Sequence, residues 1–351
     1  MSEPADPAPA PEASYSASHG LAARLARAGM SLLFTSYQSG RLYLVGVKPD
    51  GGLNVHHTAL AKPMGLRRDG AGGFAMTAGF HVLRFANALA PGQAANGIFD
   101  ACYVPRRVHV TGELDAHDVG VDADGRVIFV NTRFNCLAAL SDRHSFTPVW
   151  RPSFVSALVD EDRCHLNGLA MADGAPAFVT AASRSDTIDG WRDRRADGGV
   201  AISVATGEIA CEGLSMPHSP RVHEGRLWLL NSGAGELGRV EDGRFHPVAF
   251  VPGFARGLTF HGRFAFVGLS KPRYARFEGL ALDRRLRESD STPWCGVQVI
   301  DADTGVCVDW FRIDGTVDEL YDVEVAPGAL CPMAVAPMSP EAAQLIALPP
   351  A

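Results

Sequence analysis

Three of the twelve histidines of this 351-residue sequence lie where short apolar segments begin. They are His117 in AHDVG, His165 in CHLNG and His218 in MPHSP. Neutral imidazoles that converge in a cleft are common ligands of Zn, Fe, Cu and Mn, and a catalytic metal site keeps one position open beside three protein ligands. The three motifs therefore predict a divalent transition metal bound by these histidines.

A second set of candidate ligands consists of oxygen donors. Asp118, Asn167 and Asp322 occupy equivalent places in three of the same segments, and carboxylate and carboxamide oxygens are the ligands that Ca²⁺ and Mg²⁺ prefer. A third interpretation needs no metal, because polar residues at the start of strands also cap the strands and hydrogen-bond across a channel. The sequence leaves all three interpretations open.

Three further residues could take part in a reaction. Arg256 offers a planar, permanently charged guanidinium that suits a substrate carboxylate, and Tyr321 or Glu319 could transfer a proton. Together with the metal, these residues predict an enzyme that acts on a small anionic substrate or a peptide. The reaction type is open: a metal-activated water would give hydrolysis or elimination, and a redox-active metal would give oxidation. The alternative is a non-catalytic scaffold that binds a ligand or a protein.

The elements that must position these residues recur along the chain. Six segments share one outline: a small or polar residue, a short apolar strand, a turn and a second apolar strand. Their first residues are Met64, Asp118, Asn167, Ser219, Arg256 and Asp322. A repeat of about 40 to 50 residues with several strands in each unit is typical of propeller blades. The sequence therefore predicts an all-β fold, a six-bladed β-propeller, with an open β-sandwich as the alternative.

The sixth segment is too short to complete a blade by itself. We expect the strands between Ser31 and Leu60 to pair with it, because a propeller that joins its two chain ends in one blade leaves no free sheet edge. The first strand of every blade then lines the channel, and the candidate residues meet at its mouth. The predicted organisation is a disordered leader over residues 1–28, one propeller over 29–337 and a tail over 338–351.

Three longer insertions could cover this mouth. They span residues 100–107, 183–195 and 271–294, and each contains arginine and an aromatic residue. Ordered loops on a rigid scaffold often determine specificity, although the same segments could instead bind another protein. The centre of the third insertion has the composition of a helix.

Composition limits the partners and the compartment. The formal charge is −7 and no block of lysine or arginine stands out, so nucleic acid is not expected as a partner. No apolar run approaches the roughly 20 residues that span a bilayer, and the first residues lack the pattern of a signal peptide. The seven cysteines show no CxxC spacing, which is typical of a reducing compartment. We expect a cytoplasmic protein that contacts neither nucleic acid nor membrane; its oligomeric state is left open.

Four long and unusual motifs are shared with an uncharacterised bacterial family. They are SMPHSPR, LLNSGAGELG, FVPGFARGLTFHGRFAFVGLSKPR and VDELYDVEVAPG. Over roughly Ser31 to Val335 the chain resembles this family, which is a conserved domain of unknown function, so the resemblance implies no activity. More distantly, the outline of the blades is similar to NHL-repeat, gluconolactonase-type and streptogramin-lyase propellers. That likeness concerns the fold, and a fold does not determine a function.

Overall fold

The computed structural model describes residues 13–348, in which six four-stranded antiparallel units form a closed ring. Each innermost strand contacts the innermost strand of the next unit, and the sixth contacts the first. Numbered in chain order, the innermost strands of blades 1 to 6 are β5 (Pro63–Arg68), β9 (Ala116–Val121), β13 (Leu166–Ala172), β17 (Pro217–His223), β21 (Phe254–His261) and β25 (Val323–Pro327). The prediction of a six-bladed propeller is confirmed.

Three further strands complete each blade, each antiparallel to its neighbours. In blade 1 they are β6 (Phe74–Ala78), β7 (His81–Asn87) and β8 (Ala101–Val110), and in blade 2 they are β10 (Val127–Asn131), β11 (Cys136–Ala139) and β12 (Thr147–Trp150). Blade 3 has β14 (Ala175–Ala181), β15 (Gly199–Ser203) and β16 (Ile209–Leu214), and blade 4 has β18 (Arg226–Asn231), β19 (Glu236–Glu241) and β20 (Arg244–Phe250). Blade 5 has β22 (Phe264–Ser270), β23 (Cys295–Asp301) and β24 (Cys307–Asp314), and blade 6 has β2 (Met30–Ser36), β3 (Arg41–Val47) and β4 (Leu53–Ala59).

Blade 6 closes the ring as predicted. Its inner strand β25 comes from the C-terminal part of the chain and pairs with β2, with Phe34 opposite Val323 and Met30 opposite Pro327. Two short strands extend this interlocking to the neighbouring blades. β1 (Ser14–Ala17) pairs with β24 of blade 5, and β26 (Pro332–Ala334) runs parallel to β8 of blade 1.

The apolar core is divided among the contacts between blades. Six clusters of buried side chains each combine residues from two neighbouring blades, as in the contact of Phe34 in blade 6 with Phe311 in blade 5. Strands that are covered on both faces read as nearly continuous apolar runs, such as RLYLVGV in β3. This explains why the sequence contains so many short apolar segments without a long one.

Hydroxyl groups on the second strands also join the blades. Five threonine or serine side chains donate to a backbone carbonyl where the next blade begins, at 2.6 to 3.1 Å: Thr35 to Met64, Thr77 to Ala116, Thr132 to Leu166, Ser232 to Ala255 and Ser270 to Leu320. In blade 3, Thr180 instead donates to the Asn167 side chain. Buried hydrogen bonds of this kind each contribute about 1 kcal/mol.

The prediction of a disordered leader is wrong for residues 13–28. Helix α1 (Leu21–Ala28) follows β1, and its Leu21 and Leu25 are fully buried in the core between blades 5 and 6. Arg24 Nε lies 2.5 Å from a carboxylate oxygen of Asp309. Two leucines four residues apart give even a short helix one apolar face, and that face outweighs the polar composition of the segment. Residues 1–12 lie outside the described part of the chain.

Two other α-helices among the described residues lie outside the blades. α2 (Ala281–Glu288) occupies the helix-like centre of the third insertion, and α3 (Pro340–Gln344) lies in the predicted tail, where Ala342 and Leu345 pack near Cys102. Residues 349–351 are not described. Within residues 13–348 the structure contains no helix that is long and apolar enough to cross a membrane.

Candidate functional site

Side chains near the start of the inner strands turn into the channel because the strands bulge there. In blades 1 to 5, the pairing between the inner and second strands shifts register near the first residues of the inner strand. A bulge re-aims the neighbouring side chains without breaking the sheet. We name this end of the channel the histidine mouth, after His117, His165 and His218.

His117 and His165 lie next to each other at this mouth. Their ring centroids are 4.9 Å apart, and the Tyr321 ring is 5.6 Å from that of His117. His165 precedes β13, in a different register from His117, and its backbone has a left-handed φ of 53°. This conformation directs its ring into the mouth, where it stacks on Trp191 at 4.1 Å.

His218 lies beside Arg256 and the aromatic residues that surround it. The His218 ring is 5.5 Å from the Phe254 ring, and the Arg256 guanidinium lies 5.0 Å from the same phenyl ring. That guanidinium also lies 5.4 Å from the Tyr321 ring and 3.6 Å from a carboxylate oxygen of Glu319. The structure therefore brings the three predicted histidine ligands close to Arg256, Tyr321 and Glu319, the residues that were predicted to bind or react with a substrate.

Hydrogen bonds fix the tautomer of two histidines. Nδ1 of His117 lies 2.7 Å from the Asp115 carbonyl, and Nδ1 of His218 lies 2.8 Å from the Met216 carbonyl. A carbonyl oxygen only accepts hydrogen bonds, so Nδ1 carries the proton and Nε2 is left as an acceptor. In His165, Nδ1 instead faces the Asp162 carboxylate at 2.7 Å.

Burial keeps the imidazoles of His117 and His218 neutral. It lowers the pKa of His117 to about 4, and it lowers the pKa of His218 well below its usual value, with the positive charge of Arg256 adding to the effect. Burial acts in the opposite direction on the phenol and raises the pKa of Tyr321 well above its ordinary value. Near neutral pH, Tyr321 is therefore a hydrogen-bond donor and not a base.

Four polar atoms at the mouth are buried without a hydrogen-bond partner among residues 13–348. They are His218 Nε2, Tyr321 Oη, Arg256 Nε and Trp191 Nε1. Leaving a buried polar group unpaired costs about 1–3 kcal/mol, so a cluster of four requires an explanation. A ligand that accepts hydrogen bonds from Tyr321, Arg256 and Trp191 and donates one to His218 would satisfy all four atoms.

Glu319 is held between two arginines. It accepts from Arg273 Nε at 2.8 Å and from the Tyr37 hydroxyl, and it also faces Arg256. The position gives Glu319 a role in orienting Arg256 and Tyr37. Two guanidiniums therefore share one carboxylate here.

Two of the three insertions reach the histidine mouth. Residues 183–195 supply Trp191, and residues 271–294 supply Arg273 and α2, whose Leu282 and Leu286 pack near Phe254. The expectation is wrong for residues 100–107, because most of them belong to β8, far out in blade 1. The first four residues of β8, ACYV, are all buried.

The predicted ring of oxygen ligands does not form. Asp118 and Asp322 are buried on the channel axis, and Arg221 bridges them with Nη1 at 2.9 Å from one and Nη2 at 3.3 Å from the other. Asn167 is not part of this arrangement, because it hydrogen-bonds to Thr180. The oxygens that a cation would need are already bound to a guanidinium, so these three side chains are not grouped around a cation as they are placed.

We name this arrangement the axial ion cluster: Arg67, Asp118, Arg221, Asp322 and Glu324. Arg221 also donates to the carbonyls of Pro220, Leu169 and Leu258, so one side chain contacts blades 2 to 6. Arg67 adds blade 1 through its 3.0 Å contact with Glu324. Burial and the surplus of carboxylates raise the pKa of Asp118 and of Asp322.

The residues around the histidine mouth do not form a metal site as they are placed. Within residues 13–348, no three His, Cys, Asp or Glu side chains are grouped so that they could hold a metal ion. The free Nε2 atoms have suitable chemistry for such a site, but their arrangement does not fit one. The metal therefore stays a prediction.

Sequence reasoning missed several residues of both regions. Arg221 and Arg67 stand among apolar residues in inner strands, in SPRV and MGLRR, and a charge inside a buried strand is the signal that could have identified them. Trp191 and Arg273 lie in segments that the sequence marked as insertions. Tyr37 follows β2 and has no such signal.

Comparison with known proteins gives a family and a fold. A family model described as a domain of unknown function, DUF4915, matches residues 19–335. No curated protein matches the sequence. A chain in the crystal structure of a nidogen/laminin complex is similar at 13% identity, with a TM-score of 0.52 over 86% of this chain and 99% of that chain.

Two further solved structures show weaker similarity. The streptogramin B lyase structure has 12% identity and a TM-score of 0.40 over 82% of this chain and 76% of that chain. A gluconolactonase from Xanthomonas campestris has 16% identity and a TM-score of 0.40 over 69% of this chain and 80% of that chain. At such identities the likeness concerns the fold alone.

Proposed function

The chain belongs to the DUF4915 family, whose function is unknown, and we propose from the geometry of its histidine mouth that it is an enzyme acting on a small anionic substrate. One observation carries the proposal: buried, neutral histidines present a free Nε2 beside the guanidinium of Arg256. Perturbed titratable groups that converge in a concave site with unpaired polar atoms are characteristic of active sites.

Arg256 is the proposed anchor of the substrate. Its guanidinium lies 5.0 Å from the Phe254 ring and 5.4 Å from the Tyr321 ring, and its Nε has no partner. These rings hold the guanidinium in place and restrict water around it. A substrate carboxylate could accept from Nε while the Tyr321 hydroxyl donates to the same group.

The histidines are the proposed proton acceptors. A neutral imidazole with its proton on Nδ1 can take a proton at Nε2 from a water molecule or from a carbon next to a carboxylate. The negative charge of a bound substrate would raise the low pKa of His117 and so strengthen it as a base. Hydrolysis and elimination both fit this arrangement.

A metal-dependent version of the enzyme is the second candidate. The observation in its favour is that Nδ1 of each of His117, His165 and His218 faces an oxygen atom, as metal-bound histidines usually do. A bound divalent transition metal would activate a water molecule or, if redox-active, support oxidation. Because the three rings are not grouped for coordination as placed, we derive no step through it.

Turnover tests the proposal directly. A panel of small carboxylate esters, lactones, β-substituted carboxylates and short peptides is incubated with the protein and followed by NMR. We expect conversion of at least one class, and its loss in His117→Ala and His218→Ala variants that keep the melting temperature of the wild type. Binding of an anion without conversion of any class would instead support the non-catalytic scaffold.

Metal analysis separates the two versions of the enzyme. Protein purified without chelator and without a histidine tag is analysed by mass spectrometry for Zn, Fe, Cu and Mn. Stoichiometric metal that disappears in His117→Ala, His165→Ala and His218→Ala supports the metal-dependent version. Turnover by metal-free protein, unchanged by added metal, supports the acid–base version.

A further inference from the structure

A cavity of about 640 Å³ opens at the other end of the channel, where the inner strands end. Its walls come from five blades and include Arg68, Met171, His223, Phe260 and Glu324. The axial ion cluster forms its floor, since Arg67 and Arg221 also line it. The volume lies within the range of about 300–1,000 Å³ that is usual for small-molecule sites. We name it the distal cavity.

We propose that the distal cavity binds a small organic anion, with a carboxylate or phosphate group on a flat apolar body. This is a second binding site, independent of the function proposed for the histidine mouth.

The carboxylate that lines the distal cavity already accepts several hydrogen bonds. Among the described residues, Glu324 is the only carboxylate that lines this cavity, and its oxygens accept from Thr259 at 2.6 Å, from Arg67 at 3.0 Å and from two backbone amides. Glu324 therefore has little capacity to bind a cation or a donor from solvent.

An exposed arginine keeps unused donors beside this saturated carboxylate. The Arg68 side chain is 45% exposed, and its Nε lies 3.4 Å from a Glu324 oxygen. The neighbouring Arg67 guanidinium faces Asp118, Asp322 and Glu324 and belongs to the axial ion cluster. Planar guanidiniums with free N–H groups bind carboxylates and phosphates through two hydrogen bonds.

One wall of the cavity is flat and aromatic. The rings of His223 and Phe260 lie parallel, 4.1 Å apart with an interplanar angle of 6°, and Met171 lies on the same lining. Planar groups stack on such surfaces. The combination of a flat wall and free guanidinium donors selects a planar anion over a cation of the same shape.

Three isosteric probes test this selection: benzoate, benzamide and benzamidine, which are negative, neutral and positive. Ligand-observed NMR titrations should show benzoate binding at least about tenfold more tightly than benzamide, the difference expected for a charge-assisted hydrogen bond, and no binding of benzamidine. Phenyl phosphate in place of benzoate then distinguishes phosphate from carboxylate recognition.

Variants place the binding in this cavity. Arg68→Gln should weaken benzoate binding about tenfold, whereas Arg126→Gln, on an exposed residue that pairs with Asp122, should leave it unchanged. Phe260→Leu should weaken benzoate but not acetate. Each variant is first compared with the wild type in melting temperature.

The proposal is overturned if benzoate binds equally well to Arg68→Gln and Arg126→Gln, or if benzamidine binds as tightly as benzoate. It is also overturned if Arg256→Gln, at the histidine mouth, abolishes all benzoate binding while Arg68→Gln retains it. That last outcome would leave the function proposed for the histidine mouth intact. Conversely, a wild-type protein that converts no substrate but binds benzoate through Arg68 would contradict only the proposed enzyme.

Discussion

The histidine mouth and the axial ion cluster contain residues that are adjacent in the sequence. His117 is followed by Asp118, and Tyr321 is followed by Asp322. All four side chains are buried, but the carboxylates of the cluster accept from backbone amides and from Arg221, whereas the mouth retains polar atoms without a partner.

The two regions differ in whether their buried polar groups stabilise the fold or are available to a ligand. Buried polar groups that satisfy one another stabilise a fold and offer nothing to a ligand, while buried groups left unpaired reduce stability unless a ligand completes them. Residue type alone does not make this distinction, because carboxylates and histidines could have served either purpose. The pattern of hydrogen bonds decides it.

Removing the central arginine of the cluster should have the largest effect. Arg221→Met leaves two buried carboxylates without their shared partner, which should lower the free energy of unfolding by about 3–5 kcal/mol. Urea denaturation measures this loss, with Arg226→Met on an exposed residue of the same blade as the control. Adding Asp118→Asn and Asp322→Asn to Arg221→Met should restore part of the loss, because the charges are then gone. A loss below about 1 kcal/mol would contradict the central role of Arg221.

The two regions should respond to pH with opposite signs. The pKa of His117 is lower in the folded protein than in the unfolded chain, so its contribution to stability is present above about pH 6.5 and is lost as the pH falls towards about 4. The loss amounts to at most about 3 kcal/mol. The pKa values of Asp118 and Asp322 are raised, so the stability they contribute falls as the pH rises above their ordinary values near 4.

Two variants separate these contributions. Urea denaturation between pH 4 and 7 should show that His117→Gln flattens the rise of stability with pH. Asp118→Asn should instead make the same rise steeper, because the opposing contribution has been removed. Identical slopes in the two variants would show that neither region titrates as described.

A smaller effect on stability, but a clear one on binding, is expected at the substrate anchor. Arg256→Lys keeps the charge but loses the planar pair of donors, so binding of a small carboxylate at the mouth should weaken about tenfold. The free energy of unfolding should change by less than about 1 kcal/mol, since the contact with Glu319 does not depend on planar geometry. Equal losses of stability with and without ligand would show that Arg256 belongs with the structural residues.

The smallest effect on stability should come from an unpaired hydroxyl. Tyr321→Phe removes an oxygen that is buried without a partner, so stability should stay within about 0.5 kcal/mol of the wild type or increase slightly. Thr77→Val is the matched contrast, because Thr77 donates to Ala116 and accepts from Gly65, and it should cost about 1 kcal/mol or more. Thermal unfolding of both variants makes the comparison.

The fold was largely accessible from the sequence because it repeats. Each blade contains the same order of strand, turn and strand, so six weak signals supported one another, and the short sixth segment indicated where the two chain ends meet. The hydroxyls that join the blades also repeat, in FTS, MTA, VNT, LNS and GLS, and VTA of blade 3 has the equivalent threonine. Helix α1 has no counterpart in the repeat. The polar composition around its two leucines therefore led to the prediction of a disordered leader.

The candidate site was accessible only in part. Counting residues from the start of each blade brought His117, His165, His218 and Arg256 to one end of the channel. It could not show that Arg221, from blade 4, lies between Asp118 and Asp322, because contacts across the channel join residues about one hundred positions apart. Nor could it identify which polar atoms remain unpaired.

The interlocking of the chain ends bears on how the protein is made. β2 pairs with β25, and β1 with β24, about 290 residues later in the chain. β1 and β2 are therefore synthesised long before the strands with which they pair. At about 5–20 residues per second, their backbone edges stay exposed for tens of seconds, and exposed edges can pair with other chains. A chain that is synthesised slowly or truncated should therefore aggregate through β1 to β4. A circular permutant that begins at blade 1 should remove this delay.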